Sequence, residues 1–163
     1  MKLGFIGAGN MGSAIIKGVL NQQAFLADEI YLSRKHPEKS ADFINRGVHV
    51  MPDNISLVQA ADCIVLAVKP VYIQKVIYEI YEALSGKFVI VAGWTYEMLE
   101  NALPKTTRFV RVMPNTPIAV GEGMSLISCH HTCTEEEFAV AQSIFASAGK
   151  TVVVDDSVYT AAN

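Results

Sequence analysis

Short apolar runs alternate with segments of helical period along the whole chain. Residues 2–6 read as a short buried strand. Residues 11–21 follow as a helix with Met11, Ile15, Val19 and Leu20 on one side. Further strands are expected at 29–32, 48–51, 63–68, 88–92, 107–113, 124–129 and 151–154. Further helices are expected at 37–45, 55–60, 70–84, 95–102 and 134–147. The helix at 70–84 carries Val71, Ile73, Val76, Ile77, Ile80 and Leu84 at helical spacing. Pro37 and Pro70 open helices, and Gly47 and Gly86 close them. Asn54 reads as the cap of 55–60, and Thr132 or Thr134 as the cap of 134–147. Glu135, Glu136 and Glu137 suit the positive end of that last helix. Residues 114–120 hold two prolines and no clean period, so they read as a loop.

Strand and helix alternate, and several strands are apolar throughout. A parallel sheet covered by helices on both faces requires both properties. The expected fold class is therefore α/β, a doubly wound, mostly parallel sheet. No internal repeat, low-complexity tract or linker interrupts it.

The 163 residues suffice for one domain. Apolar residues make up 51% and charged residues 18%, which excludes a disordered chain. Lys and Arg number 13 against 16 Asp and Glu, giving a charge of −3. That mildly acidic balance argues against nucleic acid as a partner. No apolar run reaches the ~18 residues of a membrane-spanning helix. The first residues make a poor signal peptide. Three cysteines without a framework suit a reducing cytosol, so a cytoplasmic location is expected.

The strongest motif is Gly7-Ala8-Gly9-Asn10-Met11-Gly12. It follows the strand ending at Ile6 and opens a helix, the context that a dinucleotide-binding glycine turn needs. Gly7 allows the tight turn, Gly9 admits a pyrophosphate to the backbone, and Gly12 lets helix and strand pack closely. The helix N-terminus then offers N–H groups to the phosphates. An NAD site usually has Asp or Glu after the second strand. Here Ser33-Arg34-Lys35 stands there, and two cations and a hydroxyl suit a 2′-phosphate. The expected cofactor is NADP (NADPH), with NAD possible.

Three more segments fall at strand ends, where ligands bind in open α/β sheets. Ala67-Val68-Lys69-Pro70 follows the fourth strand. Ala92-Gly93 ends the fifth, where small residues let a nicotinamide approach. Met113-Pro114-Asn115-Thr116-Pro117 follows the sixth, stiffened by its prolines. Cys129-His130-His131-Thr132-Cys133 contains zinc-ligand types, but its spacing matches no usual paired pattern, so no metal is expected. His36 and His49 have no evident partner. No Ser/His/Asp set or carboxylate pair falls at the strand ends, so no catalytic residue is assigned. Hydride transfer does not need one, because the cofactor carries that chemistry.

Taken together, these segments resemble the pyrroline-5-carboxylate reductase family. Residues 4–12, 66–70 and 111–117 carry the resemblance, the Met-Pro-Asn-Thr-Pro segment most specifically. It implies a Rossmann-type domain over residues 1–155 and hydride transfer from NADPH or NADH to 1-pyrroline-5-carboxylate. The product is L-proline, at the last step of its biosynthesis. It implies that Ile6 through Gly12 hold the pyrophosphate and that Ser33, Arg34 and Lys35 meet the 2′-phosphate. It further implies that Asn54 lies near the adenosine ribose, that Ala67–Pro70, Ala92 and Gly93 line the cleft, and that Met113–Thr116 sit by the nicotinamide.

Two departures stand out. Trp94 replaces the family's usual aliphatic residue, either as a packing change or as a group crowding the nicotinamide. Family members also continue into a helical domain that binds substrate and builds a dimer, and residues 156–163 read as the start of a connection to it. The expectation is a chain that binds cofactor and is catalytically incomplete alone. Two alternatives are weighed. One is another imine, 3-hydroxyacid or deazaflavin-dependent reductase, and the other is a non-catalytic nucleotide-binding relative.

Overall fold

The computed structural model describes residues 1–115, 117–118 and 122–155. Its strands are β1 (Leu3–Ile6), β2 (Ile30–Ser33), β3 (His49–Val50), β4 (Cys63–Leu66), β5 (Phe88–Ala92), β6 (Arg108–Pro114), β7 (Gly123–Cys129) and β8 (Gly149–Val153). They form one sheet in the order β3-β2-β1-β4-β5-β6-β7-β8. β1 to β6 run parallel. β7 lies antiparallel to β6, and β8 parallel to β7. The reversal has a simple origin, because the connection from Pro114 to Gly123 is shorter than the crossover of about a dozen residues that a parallel return needs.

The helices are α1 (Asn10–Asn21), α2 (Ala41–Asn45), α3 (Asn54–Ala60), α4 (Pro70–Ile80), α5 (Tyr96–Ala102) and α6 (Glu135–Ala146). Alternate strand residues feed two cores, one per sheet face. Leu3, Phe5, Cys63, Val65, Phe88 and Ile90 meet Ile15, Ile16 and Val19 of α1 and Ala141, Ile144 and Phe145 of α6. Ile6, Ile64, Leu66, Val89 and Val91 meet Leu57 and Val58 of α3, Ile73 and Ile77 of α4, and Leu99 of α5. Both faces of the central strands are thus dry, which explains their unbroken apolar sequence. Gly4 makes room on the second face, where a Cβ would stand 2.6 Å from Leu57 Cδ2.

Every expected strand and helix is present, with local differences. The helix expected at 37–45 divides into a 3₁₀ turn, Pro37–Ser40, and α2. The helix expected at 70–84 ends at Ile80, and a 3₁₀ turn, Glu82–Leu84, carries the fully buried Leu84. Asp53, not Asn54, caps α3, its carboxylate accepting the Ser56 N–H at 2.7 Å. Asn54 is instead the first helical residue, and its side chain is engaged elsewhere. Thr134 caps α6 in a reciprocal box with Glu137. Among the described residues, no helix is long and apolar enough to cross a membrane.

Candidate functional site

The carboxyl ends of β1, β2, β4, β5 and β6 share one edge of the sheet. The order of connections reverses between β1 and β4, the position where open α/β sheets leave a crevice. The glycine turn lies at this switch point. Gly7 has φ +96°, and its N–H donates to Ser33 O at 2.8 Å, tying the turn to the end of β2. A Cβ on Gly12 would stand 2.6 Å from Gly7 O and 3.1 Å from Ala67 Cβ. A Cβ on Gly9 would meet nothing within 4 Å. Gly12 is therefore demanded by packing, whereas at Gly9 the protein itself demands nothing. α1 starts at Gly9 with no side-chain cap and no acid in its first turn. Its first amides keep their need for an acceptor, and its dipole favours an anion there.

Beside the turn, Ser33 and Asn54 meet although 21 residues separate them. Ser33 Oγ donates to Asn54 Oδ1 at 2.7 Å, and Asn54 Nδ2 donates to Glu79 Oε2 at 3.1 Å. The Ser33 proton is thus committed, and the cations Arg34 and Lys35 are the groups with charge to offer at the end of β2. The Arg34 guanidinium donates to Lys39 O at 3.3 Å, and Lys35 is exposed. Glu79 was missed from sequence. It comes from α4, 25 residues beyond Asn54, and no local pattern marks it.

Ala67 N–H donates to Ile6 O at 2.9 Å, which holds the end of β4 against that of β1. Val68 is half-buried, Lys69 is exposed, and Pro70 opens α4. Gly93 has φ +85°, and a Cβ there would lie 3.4 Å from Pro70 Cγ. Ala92, at the end of β5, is half-buried. Trp94 points to packing as its role, since it is 8% exposed within the second core.

Met113 and Pro114 end β6 at the same edge. Asn115 braces the start of β7: its N–H donates to Met124 O at 3.2 Å, and its Oδ1 accepts the Met124 N–H at 2.9 Å. Thr116 and residues 156–163 lie outside the described residues.

The remaining candidates have local partners. His36 Nδ1 lies 3.1 Å from Glu38 Oε1. His49 Nε2 lies 3.0 Å from Asp28 O, and its ring stacks on Tyr31. The three cysteines are free. Burial pushes the Cys63 and Cys133 thiols well above the ordinary range, so neither is primed as a thiolate. Asp53 is held below its ordinary value by the Ser56 hydrogen bonds. Cavities of about 360 and 420 Å³ lie away from the glycine turn, around α5, β7 and the start of α6.

The family described as NADP oxidoreductase, coenzyme F420-dependent, matches residues 2–93. The chain is 36% identical over 157 residues to pyrroline-5-carboxylate reductase of Haemophilus influenzae, covering 94% of this chain and 58% of that protein. A solved pyrroline-5-carboxylate reductase from Coxiella burnetii superposes with a TM-score of 0.87 at 32% identity, covering 94% of this chain and 58% of that one. A second, from Plasmodium falciparum with NADP bound, gives 0.84 at 30% identity, covering 96% and 58%. The chain thus spans just under three-fifths of the length of the curated relatives it matches.

Proposed function

The chain belongs to the family of NADP oxidoreductases described as coenzyme F420-dependent, and from that premise we propose that it is the cofactor half of a pyrroline-5-carboxylate reductase. The cofactor is NADPH, with NADH as a weaker substitute. The reaction is reduction of the C=N bond of 1-pyrroline-5-carboxylate to L-proline. The substrate rests on the relatives' activity, and the cofactor on the relatives together with the glycine turn.

One observation carries the cofactor reading. Gly9 needs no missing Cβ for its own packing, yet it stands at the uncapped start of a 12-residue helix at the sheet's switch point. A pyrophosphate accepting from the first amides of α1 explains that glycine. Ile6 to Gly12 would then hold the pyrophosphate, and Arg34 and Lys35 the 2′-phosphate, with Ser33 and Asn54 beside the ribose. Ala67 to Pro70, Ala92 and Gly93 would line the cleft, and Met113 to Thr116 the nicotinamide end. When bound, NADPH supplies the hydride. This chain's residues bind and orient it, and positioning of that kind contributes several kcal/mol of barrier reduction.

Residues 1–155 would form the cofactor domain. Substrate binding and subunit pairing would belong to the share of the relatives that this chain does not match. The cytosol is the proposed compartment, on the three free thiols.

The test is a fluorescence titration with NADPH and NADH. The reading expects saturable NADPH binding, at least tenfold tighter than NADH. No binding of either would end it, and equal affinities would remove the role given to Arg34 and Lys35. Reduced coenzyme F420, run alongside, covers the alternative that the family's description raises: preferential binding of F420 would replace NADPH. For the substrate, NADPH consumption with 1-pyrroline-5-carboxylate is compared with other cyclic imines in a protein carrying this chain with its substrate region. Preference for another imine would overturn that part alone.

A further inference from the structure

At the opposite edge of the sheet, the last turn of α5 meets the turn after β7. There Glu100, His130 and His131 each offer one ligand atom, and the three atoms lie within 4.8 Å of one another. His130 is buried at 6% exposure, while Glu100 and His131 are exposed. The buried ring is fixed on every side that matters. It stacks on Phe109 with centroids 4.2 Å apart and planes 16° apart, and Tyr96 meets it edge-on at 5.2 Å. Its Nδ1 lies 2.9 Å from Thr132 Oγ1, and its Nε2 lies 2.9 Å from Glu100 Oε1. His131 packs against it with ring centroids 3.9 Å apart.

We infer that Glu100, His130 and His131 form a binding site for a divalent transition metal of the zinc class. Two imidazoles and one carboxylate are an established zinc ligand set, and three protein ligands leave a fourth position open. That position faces a cavity of about 360 Å³ lined by Asn101, Pro104, Lys105 and Thr132 as well as the three ligands. Thr132 surrounds Nδ1: its hydroxyl lies 2.9 Å away and its backbone N–H donates to Nδ1 at 3.5 Å. A metal on Nε2 would replace the proton that joins this nitrogen to Glu100 and leave the ring proton on Nδ1, where the Thr132 hydroxyl can accept it. With metal bonds of ~2.0–2.2 Å, the Glu100 carboxylate must withdraw slightly from Nε2 to admit the ion and the His131 ring must close on it, and both side chains are exposed.

The Lys105 ammonium, which also lines the cavity, donates to the Glu100 backbone carbonyl at 3.3 Å. Arg108 is paired with Glu137 at 2.7 Å. The sequence predicts no metal here, because the spacing of Cys129, His130, His131 and Cys133 matches no usual paired pattern. The third ligand instead comes from 30 residues upstream. The site is independent of the cofactor reading, which concerns the other edge.

The experiment is titration of the chain with Zn²⁺ against a chromophoric chelator, repeated with Co²⁺ for its absorption and with Mg²⁺. Thermal melts accompany each titration, since an ion that binds only the folded chain raises Tm. The expected result is one Zn²⁺ or Co²⁺ per chain, a higher Tm, and no comparable effect of Mg²⁺. His131→Ala and Glu100→Gln weaken binding at least tenfold while the metal-free Tm stays close to wild type. Thr132→Val weakens it roughly 10- to 100-fold, as loss of a supporting contact does. Cys129→Ser with Cys133→Ser leaves it unchanged. The proposal is overturned by absence of saturable zinc binding, by full binding in His131→Ala, or by loss of binding in the cysteine double variant.

Discussion

The two edges of this sheet offer a ligand different means of recognition. The carboxyl edge relies on backbone: three glycines, an uncapped helix start and strand ends, with Arg34 and Lys35 as its charges. The amino edge at α5 and β7 relies on side chains, with Glu100, His130 and Thr132 in direct contact and His131 packed beside them. Backbone recognition arises from consecutive residues, because a turn and the helix it opens are one stretch of chain. Side-chain clusters arise from whatever the fold brings together.

That difference predicts how each edge responds to substitution, and the largest effect should come at Gly12. Gly12→Ala drives a Cβ into Gly7 O, a backbone atom that cannot swing aside. Overpacking of this kind costs about 1–3 kcal/mol, so both Tm and NADPH affinity should fall sharply. Gly9→Ala separates the two roles, since its Cβ meets only space. Melting should stay near wild type while NADPH affinity drops at least tenfold, about 1.4 kcal/mol. If Gly9→Ala binds NADPH normally, the backbone account of this edge fails.

Next in size is Arg34→Asp. A charged hydrogen bond contributes about 1.5–3 kcal/mol, so NADPH affinity should fall roughly 10- to 100-fold. NADH affinity should change little, and equal losses for the two would show that Arg34 does not distinguish them.

A smaller effect sharpens the independence of the edges. Thr134→Ala removes the cap of α6 and should cost about 1 kcal/mol. Tm should fall by roughly 2–4 °C, with no change in NADPH affinity. Smallest is the acid response of Asp53. Its carboxyl is held below its ordinary value in the folded chain, so its contribution is present at neutral pH and fades as pH falls below about 4. Asp53→Asn keeps a capping oxygen and cannot titrate, so its acid-induced loss of stability should be slightly less than wild type.

Legibility in the sequence followed the same division. The glycine turn, the strands with both faces buried and the alternation that produces a parallel sheet are all local signals, and they were readable. So was the Thr134 cap. The cap of α3 was misplaced by one residue, because Asp53 and Asn54 are equally good capping types and only the helix start decides between them. The Ser33–Asn54–Glu79 chain was not readable, since its members are 21 and 25 residues apart and belong to β2, α3 and α4. Glu100 was invisible for the same reason. It looks like any solvent-facing acid of a short helix until β7 returns His130 to it.

Hydrogen–deuterium exchange with and without NADPH tests the account most directly, because it locates the ligand on the sheet. Protection is expected in segments covering residues 7–12 and 33–35, with exchange around residues 100 and 130–132 unchanged. Protection confined to the α5–β7 edge, or none at residues 7–12 under saturating NADPH, would contradict it.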